Sequence, residues 1–143
     1  MSNPDHVFPI VDHRTTFGLH LMLDAYHVEP KLLDDMKRVF KFLNELPKVI
    51  DMKKLTEPYV VDADATAAGK DPGGISGFIM IAESHISIHT FANRGFFTMD
   101  CYSCNNFESE VDTLLEYTKK MFPYTDSELN IVKRGLKYPA QDE

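Results

Sequence analysis

From Ile75 to Ile81 both alternating faces of the chain are apolar, with Ile75, Ile79 and Ile81 on one side and Phe78 and Met80 on the other. A strand with this pattern must be covered on both sides. The next segment behaves differently. Between His85 and Phe91, Ile86, Ile88 and Thr90 alternate with His85, Ser87 and His89, so one face is core and the other is polar. Ala92-Asn93-Arg94-Gly95 is turn chemistry, and Phe96 to Tyr102 supplies the returning strand of a hairpin. Phe17 to Asp24, Pro58 to Asp62 and Leu129 to Val132 read as further strands, while Ala63 to Pro72 is small, polar and Gly/Pro-punctuated like an irregular loop. Helical spacing is carried by Leu32, Leu33, Met36, Val39, Phe40 and Leu43 between Pro30 and Leu46. It returns in Val111, Leu114, Leu115, Thr118 and Met121 between Glu108 and Phe122, where Pro123 stops it. The sum is an α+β two-layer sandwich, an antiparallel sheet with helices on one face. Two helices cover only one face, so the second apolar face of the Ile75 strand is expected to meet a partner subunit.

At 143 residues the chain suits a single domain, 1–143, with no repeat and no low-complexity linker. A net charge of −7 argues against nucleic acid or anionic lipid as the main partner and is compatible with a small cationic or zwitterionic ligand. No apolar run approaches the roughly 20 residues that span a bilayer, and the polar first residues lack the basic and apolar regions expected of a signal peptide. The expected location is the cytoplasm, where Cys101 and Cys104 stay reduced.

The window Glu83-Ser84-His85 reads as a self-cleavage site. In such chemistry the serine oxygen attacks the preceding carbonyl, here that of Glu83, and an N-to-O acyl shift gives an ester. Where a base then removes the serine α-proton, elimination can cut the chain and leave a dehydroalanine, which hydrolyses to a ketoacyl group with loss of ammonia. The hairpin places Cys104 beside this point. A two-residue loop at Asn93-Arg94 makes opposed residues sum to 187 and pairs Glu83 with Cys104; a three-residue loop pairs Ser84 with Cys104. Ser84 and His89 are an odd number apart, which puts them on opposite faces of a regular strand, so a kink at Ser84-His85 is expected if both serve one site.

Other chemistries fit the same residues less well. His85-x3-His89 with Cys101-x2-Cys104 offers four zinc-type ligands, but strand residues four apart lie about 13 Å from one another and do not share an ion. The C-x-x-C pair closes a strand instead of opening a helix, which argues against redox use. Ser84-His85 lacks a nucleophile elbow, and no phosphate-loop Lys and Ser/Thr follow Gly73-Gly74.

Four segments together resemble the prokaryotic S-adenosylmethionine (AdoMet) decarboxylase family. They are Phe17-Gly-Leu-His20-Leu-Met-Leu-Asp24, Gly74-Ile-Ser76-Gly77, Glu83 to Thr90 as E-S-H-x-x-I-H-T, and Asp100-Cys-Tyr-Ser-Cys104 as D-x-[YF]-x-C. The resemblance runs in order over residues 17–120 and is ungapped from Gly74 to Cys104. It implies a pyruvoyl-dependent decarboxylase of polyamine (spermidine) biosynthesis that cuts itself at Glu83-Ser84 into chains 1–83 (β) and 84–143 (α). The covalent pyruvoyl cofactor then derives from Ser84 and forms a Schiff base with the substrate amine. The resemblance further implies that His89 is the processing base, that Ser76 assists processing and that Cys104 returns a proton after decarboxylation. It implies a homodimer of αββα layers with sites at the interface.

Two positions depart from the family pattern. Asn93 stands where a carboxylate for the ribose hydroxyls is expected, and Lys70 where an aromatic for adenine is expected. Losing a base stack and a charge-assisted hydrogen bond costs about 1–3 kcal/mol each. Glu83, Lys70 and Asn93 are nevertheless the candidate substrate contacts. AdoMet is the first expectation, an ornithine or arginine decarboxylase the second, with Lys70 meeting a carboxylate. From other classes, a non-catalytic regulator of the family and a zinc-binding protein complete the alternatives.

Overall fold

A computed structural model describes residues 16–63 and 74–139. Six antiparallel strands form one sheet: β1 (Gly18–Tyr26), β2 (Tyr59–Ala63), β3 (Gly74–Ile81), β4 (Ser84–Phe91), β5 (Phe96–Ser103) and β6 (Asp126–Arg134), in the order β2-β3-β4-β5-β1-β6. The helices are α1 (Pro30–Leu33), α2 (Met36–Val49) and α3 (Val111–Met121). Every expected strand is present, and the α+β class holds.

Side-chain alternation decides which face the helices cover. Leu19, Leu21, Leu23 and Ala25 of β1 point into the core together with Ile75, Ile79 and Ile81 of β3, Ile86 and Ile88 of β4, and Phe97, Met99 and Cys101 of β5. Val39, Phe42, Leu43 and Leu46 of α2 and Val111 and Leu114 of α3 close over them. Gly77 lets α2 come close: a Cβ there would lie 2.8 Å from Leu43 Cδ1. Thr90 fastens the same layer, accepting the Ile75 N–H at 3.0 Å and donating to the Leu33 carbonyl at 2.8 Å.

The single helix expected from Pro30 to Leu46 is in fact two. Asp35 caps the second, its carboxylate accepting from the Arg38 N–H at 3.1 Å, and the chain turns at Asp34 to let it do so. The break shifts the buried stripe: Phe42 is fully buried, whereas Met36 and Phe40, expected inside, are 41% and 39% exposed.

Among the described residues, the opposite face of the sheet carries no helix. It presents Tyr59 and Val61 of β2, Phe78 and Met80 of β3 and Val132 of β6, all exposed apolar side chains, around a polar centre. Among the described residues, no helix is long and apolar enough to cross a membrane.

Candidate active site

Ser84 opens β4, directly after a two-residue turn in which Ile81 pairs with Ser84. The turn is closed by Glu83 in the left-handed region, at φ 55. A non-glycine residue there carries local strain, and the strained residue is the one whose carbonyl precedes Ser84. The Ser84 side chain is buried, with Oγ 3.0 Å from the Ala82 carbonyl oxygen and 2.7 Å from Oγ of Ser103. Ser103 lies directly opposite in β5 and is itself fully buried, its oxygen also accepting the Asn105 N–H at 2.9 Å.

The β4–β5 register settles the hairpin. Ser84 pairs with Ser103 and Phe91 with Phe96, so opposed residues sum to 187. The loop is a four-residue 3-10 turn, Ala92 to Gly95, instead of the two-residue one assumed for that sum; Gly95 takes φ 61 to close it. Cys104 therefore faces Glu83, and its thiol donates to Glu83 Oε1 at 3.1 Å. Burial pushes the Cys104 thiol up, and the Glu83 hydrogen bond and charge push it further. Such a thiol keeps its proton at neutral pH, which suits a donor better than a nucleophile.

The kink expected at Ser84-His85 is absent. Pairing to β3 and β5 is regular from Ser84 onward, and the left-handed backbone at this end of β4 lies one residue earlier, at Glu83. Consequently Ser84 and His89 stay on opposite faces of β4, about 17 Å apart along it. His89 instead meets Ser76, its partner across β3, with Oγ 2.8 Å from Nδ1. Beside this pair a shallow hollow of about 180 Å³ is lined by Tyr59, Val61, Phe78 and Ser87. One chain thus carries two separate groups of candidate residues: Ser84, Glu83 and Cys104 at one end of β4, and Ser76 and His89 towards the other.

Asn93 lies in the β4–β5 turn, and Lys70 falls outside the described residues. The four residues of the zinc reading are not brought together. Cys101 is sealed in the core, where burial, with a smaller contribution from Asp100, raises its thiol to about 12, while Cys104 sits at Glu83 and His89 at Ser76. Sequence reasoning missed Ser103. Its signal was the 187 register, which sets it against Ser84. It also missed the convergence of His20, His85 and Asp100 on the open face, where Asp100 Oδ2 lies 2.6 Å from His20 Nε2.

A helix-backed antiparallel sheet, with a serine at a strained strand start and a thiol across from it, defines an α+β two-layer domain with reactive side chains gathered at one end of β4. Known proteins place it more closely. The model of the S-adenosylmethionine decarboxylase family matches residues 19–135. An S-adenosylmethionine decarboxylase proenzyme of Thermococcus kodakarensis is 30% identical over 125 residues, covering 85% of this chain and 79% of the relative. A second such proenzyme, from Bacillus cereus, is 28% identical over 122 residues, covering 85% and 92%. The crystal structure of the adenosylmethionine decarboxylase from Aquifex aeolicus superposes with a TM-score of 0.73 at 24% identity, covering 90% of this chain and 97% of that one, a likeness of fold. The chain belongs to the S-adenosylmethionine decarboxylase family.

Proposed function

We propose that this protein is an AdoMet decarboxylase of polyamine biosynthesis that cuts itself between Glu83 and Ser84 and uses the resulting pyruvoyl group. The observation that carries this reading is the placing of Ser84 immediately after the left-handed Glu83, with the Cys104 thiol held on Glu83 across the ladder. The residues fit the group. Ser84 has its Oγ within hydrogen-bond reach of Ser103, a contact that limits the rotamers of the attacking oxygen. Once formed, a pyruvoyl group supplies a ketone that condenses with the substrate amine and takes up the electron pair left by the departing carboxylate. Cys104, protonated at neutral pH, is placed to return the proton.

The second half of the site comes from a second copy. Ser76 and His89 cannot reach Ser84 of their own chain, since strand geometry separates them by about 17 Å and by a face. They lie on the open sheet face, whose exposed Phe78, Met80, Tyr59 and Val61 need cover. Two copies packed sheet to sheet in αββα layers bury that face and set His89 of one over the main chain of residue 84 of the other, whose side chain points to the helices; from there His89 serves as the processing base towards the Ser84 α-proton, with Ser76 assisting. The relatives described above bear the AdoMet name, which favours that substrate over ornithine or arginine. Lys70, Asn93 and Glu83 remain the candidate substrate contacts.

Intact-mass measurement of purified protein, followed by carbon dioxide release from carboxyl-labelled AdoMet, ornithine and arginine offered separately, tests the reading. Two fragments, 1–83 and 84–143, with release from AdoMet alone are expected. An unbroken active chain overturns it.

A further inference from the structure

Four strands converge on one carboxylate of the open face that the chemistry above does not use. Asp100 of β5 lies 2.6 Å from His20 Nε2 on β1 and 3.5 Å from His85 Nε2 on β4, and its other oxygen accepts a short hydrogen bond from Ser87. Arg134 of β6 reaches His20 Nδ1 at 3.3 Å while its guanidinium lies 5.0 Å from the Tyr102 ring centre. Tyr102 borders both imidazoles, at 5.8 Å from His20 and 5.9 Å from His85.

Two imidazoles and a carboxylate with ligand atoms within 4.8 Å of one another resemble a donor set for a late transition metal. The hydrogen bonds decide otherwise. A guanidinium only donates, so Nδ1 of His20 accepts from Arg134, and the ring proton sits on Nε2, aimed at Asp100. A metal on Nε2 takes that lone pair and drives the proton to Nδ1, donor against donor with Arg134. The cluster is a run of donors that ends on a charged Asp100. Burial raises its carboxyl, but the Ser87 and His20 hydrogen bonds and the two imidazoles outweigh this and hold it below its ordinary value.

His85 is the residue immediately after Ser84. Once the 83–84 bond is cut, residue 84 loses its tether to the Ala82-Glu83 turn and is held by its ladder pairs, Ile81 and Ser103, and by whatever fixes its neighbour. We infer that Asp100 is a positioning residue for the reacting end at residue 84: it fixes His85, and His20 and Arg134 aim it. This inference rests on the cleavage and turnover proposed above. A reacting carbon displaced by about 1 Å loses roughly a hundredfold in rate, so the device acts on kcat and not on substrate affinity.

The test compares wild type, Asp100→Asn and His85→Gln as full chains. The variants are expected to melt and to oligomerise as wild type does, to cleave more slowly, and once cleaved to turn over AdoMet with kcat reduced about ten- to hundredfold and KM within about threefold. A variant that folds but stays whole is the extreme of the same effect. Should Asp100→Asn fail to fold, His85→Gln, whose side chain is 40% exposed, carries the test. Wild-type kcat in the cleaved variants, or a loss confined to KM, overturns the inference. So does stoichiometric zinc in wild type that His20→Ala loses. A wild-type chain that stays whole fells the proposed function and this inference together, whereas a cut, active wild type with indifferent variants fells only the inference.

Discussion

Ser76 Oγ lies 2.8 Å from His89 Nδ1, and this pair sits five residues along β4 from Ser84, on the opposite face of the strand. No rotamer closes a gap of about 17 Å, so a site that uses both Ser84 and His89 takes them from different chains. Ser84→Ala and His89→Ala are therefore each expected to be inactive alone and to complement one another. Random mixing makes half of the dimers mixed, each with one intact site of two, so co-expression should restore about a quarter of wild-type decarboxylation. Carbon dioxide release from co-expressed and separately expressed variants checks this; no recovery on co-expression removes the second copy from the site.

Cys104 is expected to matter after the cut. Cys104→Ala should still yield the two fragments on a denaturing gel but lose turnover by a hundredfold or more, in line with the loss of a general acid. The alkaline limb of the wild-type rate profile should lie above the ordinary thiol value of 9.0, because burial and Glu83 both raise this thiol. The sign follows directly: a negative neighbour disfavours the thiolate, so Glu83→Gln lets the proton leave more easily and moves the limb to lower pH. A limb that stays in place, measured on whatever fraction of the variant is cut, removes Glu83 as the source of the shift.

What could be read from the chain was what short-range periodicity encodes. The alternation of Ile86, Ile88 and Thr90 with His85, Ser87 and His89 gave the strand and its faces, and the apolar Phe78 and Met80 foretold an uncovered sheet. Two readings failed, one to a local capping bond and one to the regular pairing of a strand. Asp35 looked like one more polar residue of a continuous helix, yet its capping bond restarts the helix and rotates Phe42 inward at the expense of Phe40. The kink at Ser84-His85 was the condition for Ser84 and His89 of one chain to serve one site, and the regular pairing of β4 does not supply it. Asp100 and His20 stood 80 residues apart in sequence and meet only because β1 is inserted beside β5.

The exchange of Phe42 for Phe40 gives a stability prediction. Phe42 is fully buried and rings against Tyr117 and Phe122 at 6.0 and 5.4 Å. Phe42→Ala should cost about 3–5 kcal/mol, whereas Phe40→Ala, at a half-exposed position, should cost under about 1 kcal/mol. Urea unfolding of both in an uncleaved Ser84→Ala background, which keeps one chain, measures the difference. A larger cost for Phe40→Ala than for Phe42→Ala would mean that α2 packs in the register its sequence first indicated.

Asp100 also leaves a mark on stability in acid. Burial opposes its charge, but Ser87, His20 and His85 together keep its carboxyl below the ordinary 3.8. A carboxyl held low in the folded chain binds its proton more readily once unfolded, so its contribution is complete above about pH 4 and is lost as the pH falls through the lower folded value. Wild type should therefore lose melting temperature steeply below pH 4, and Asp100→Asn, which has no proton to take up, should lose less over the same interval. Thermal melts of both in the Ser84→Ala background from pH 6 down to pH 2.5 make the comparison. Parallel curves would show that the imidazoles and Ser87 do not stabilise the charge on Asp100, and the donor run from Arg134 through His20 would then lose its anchor.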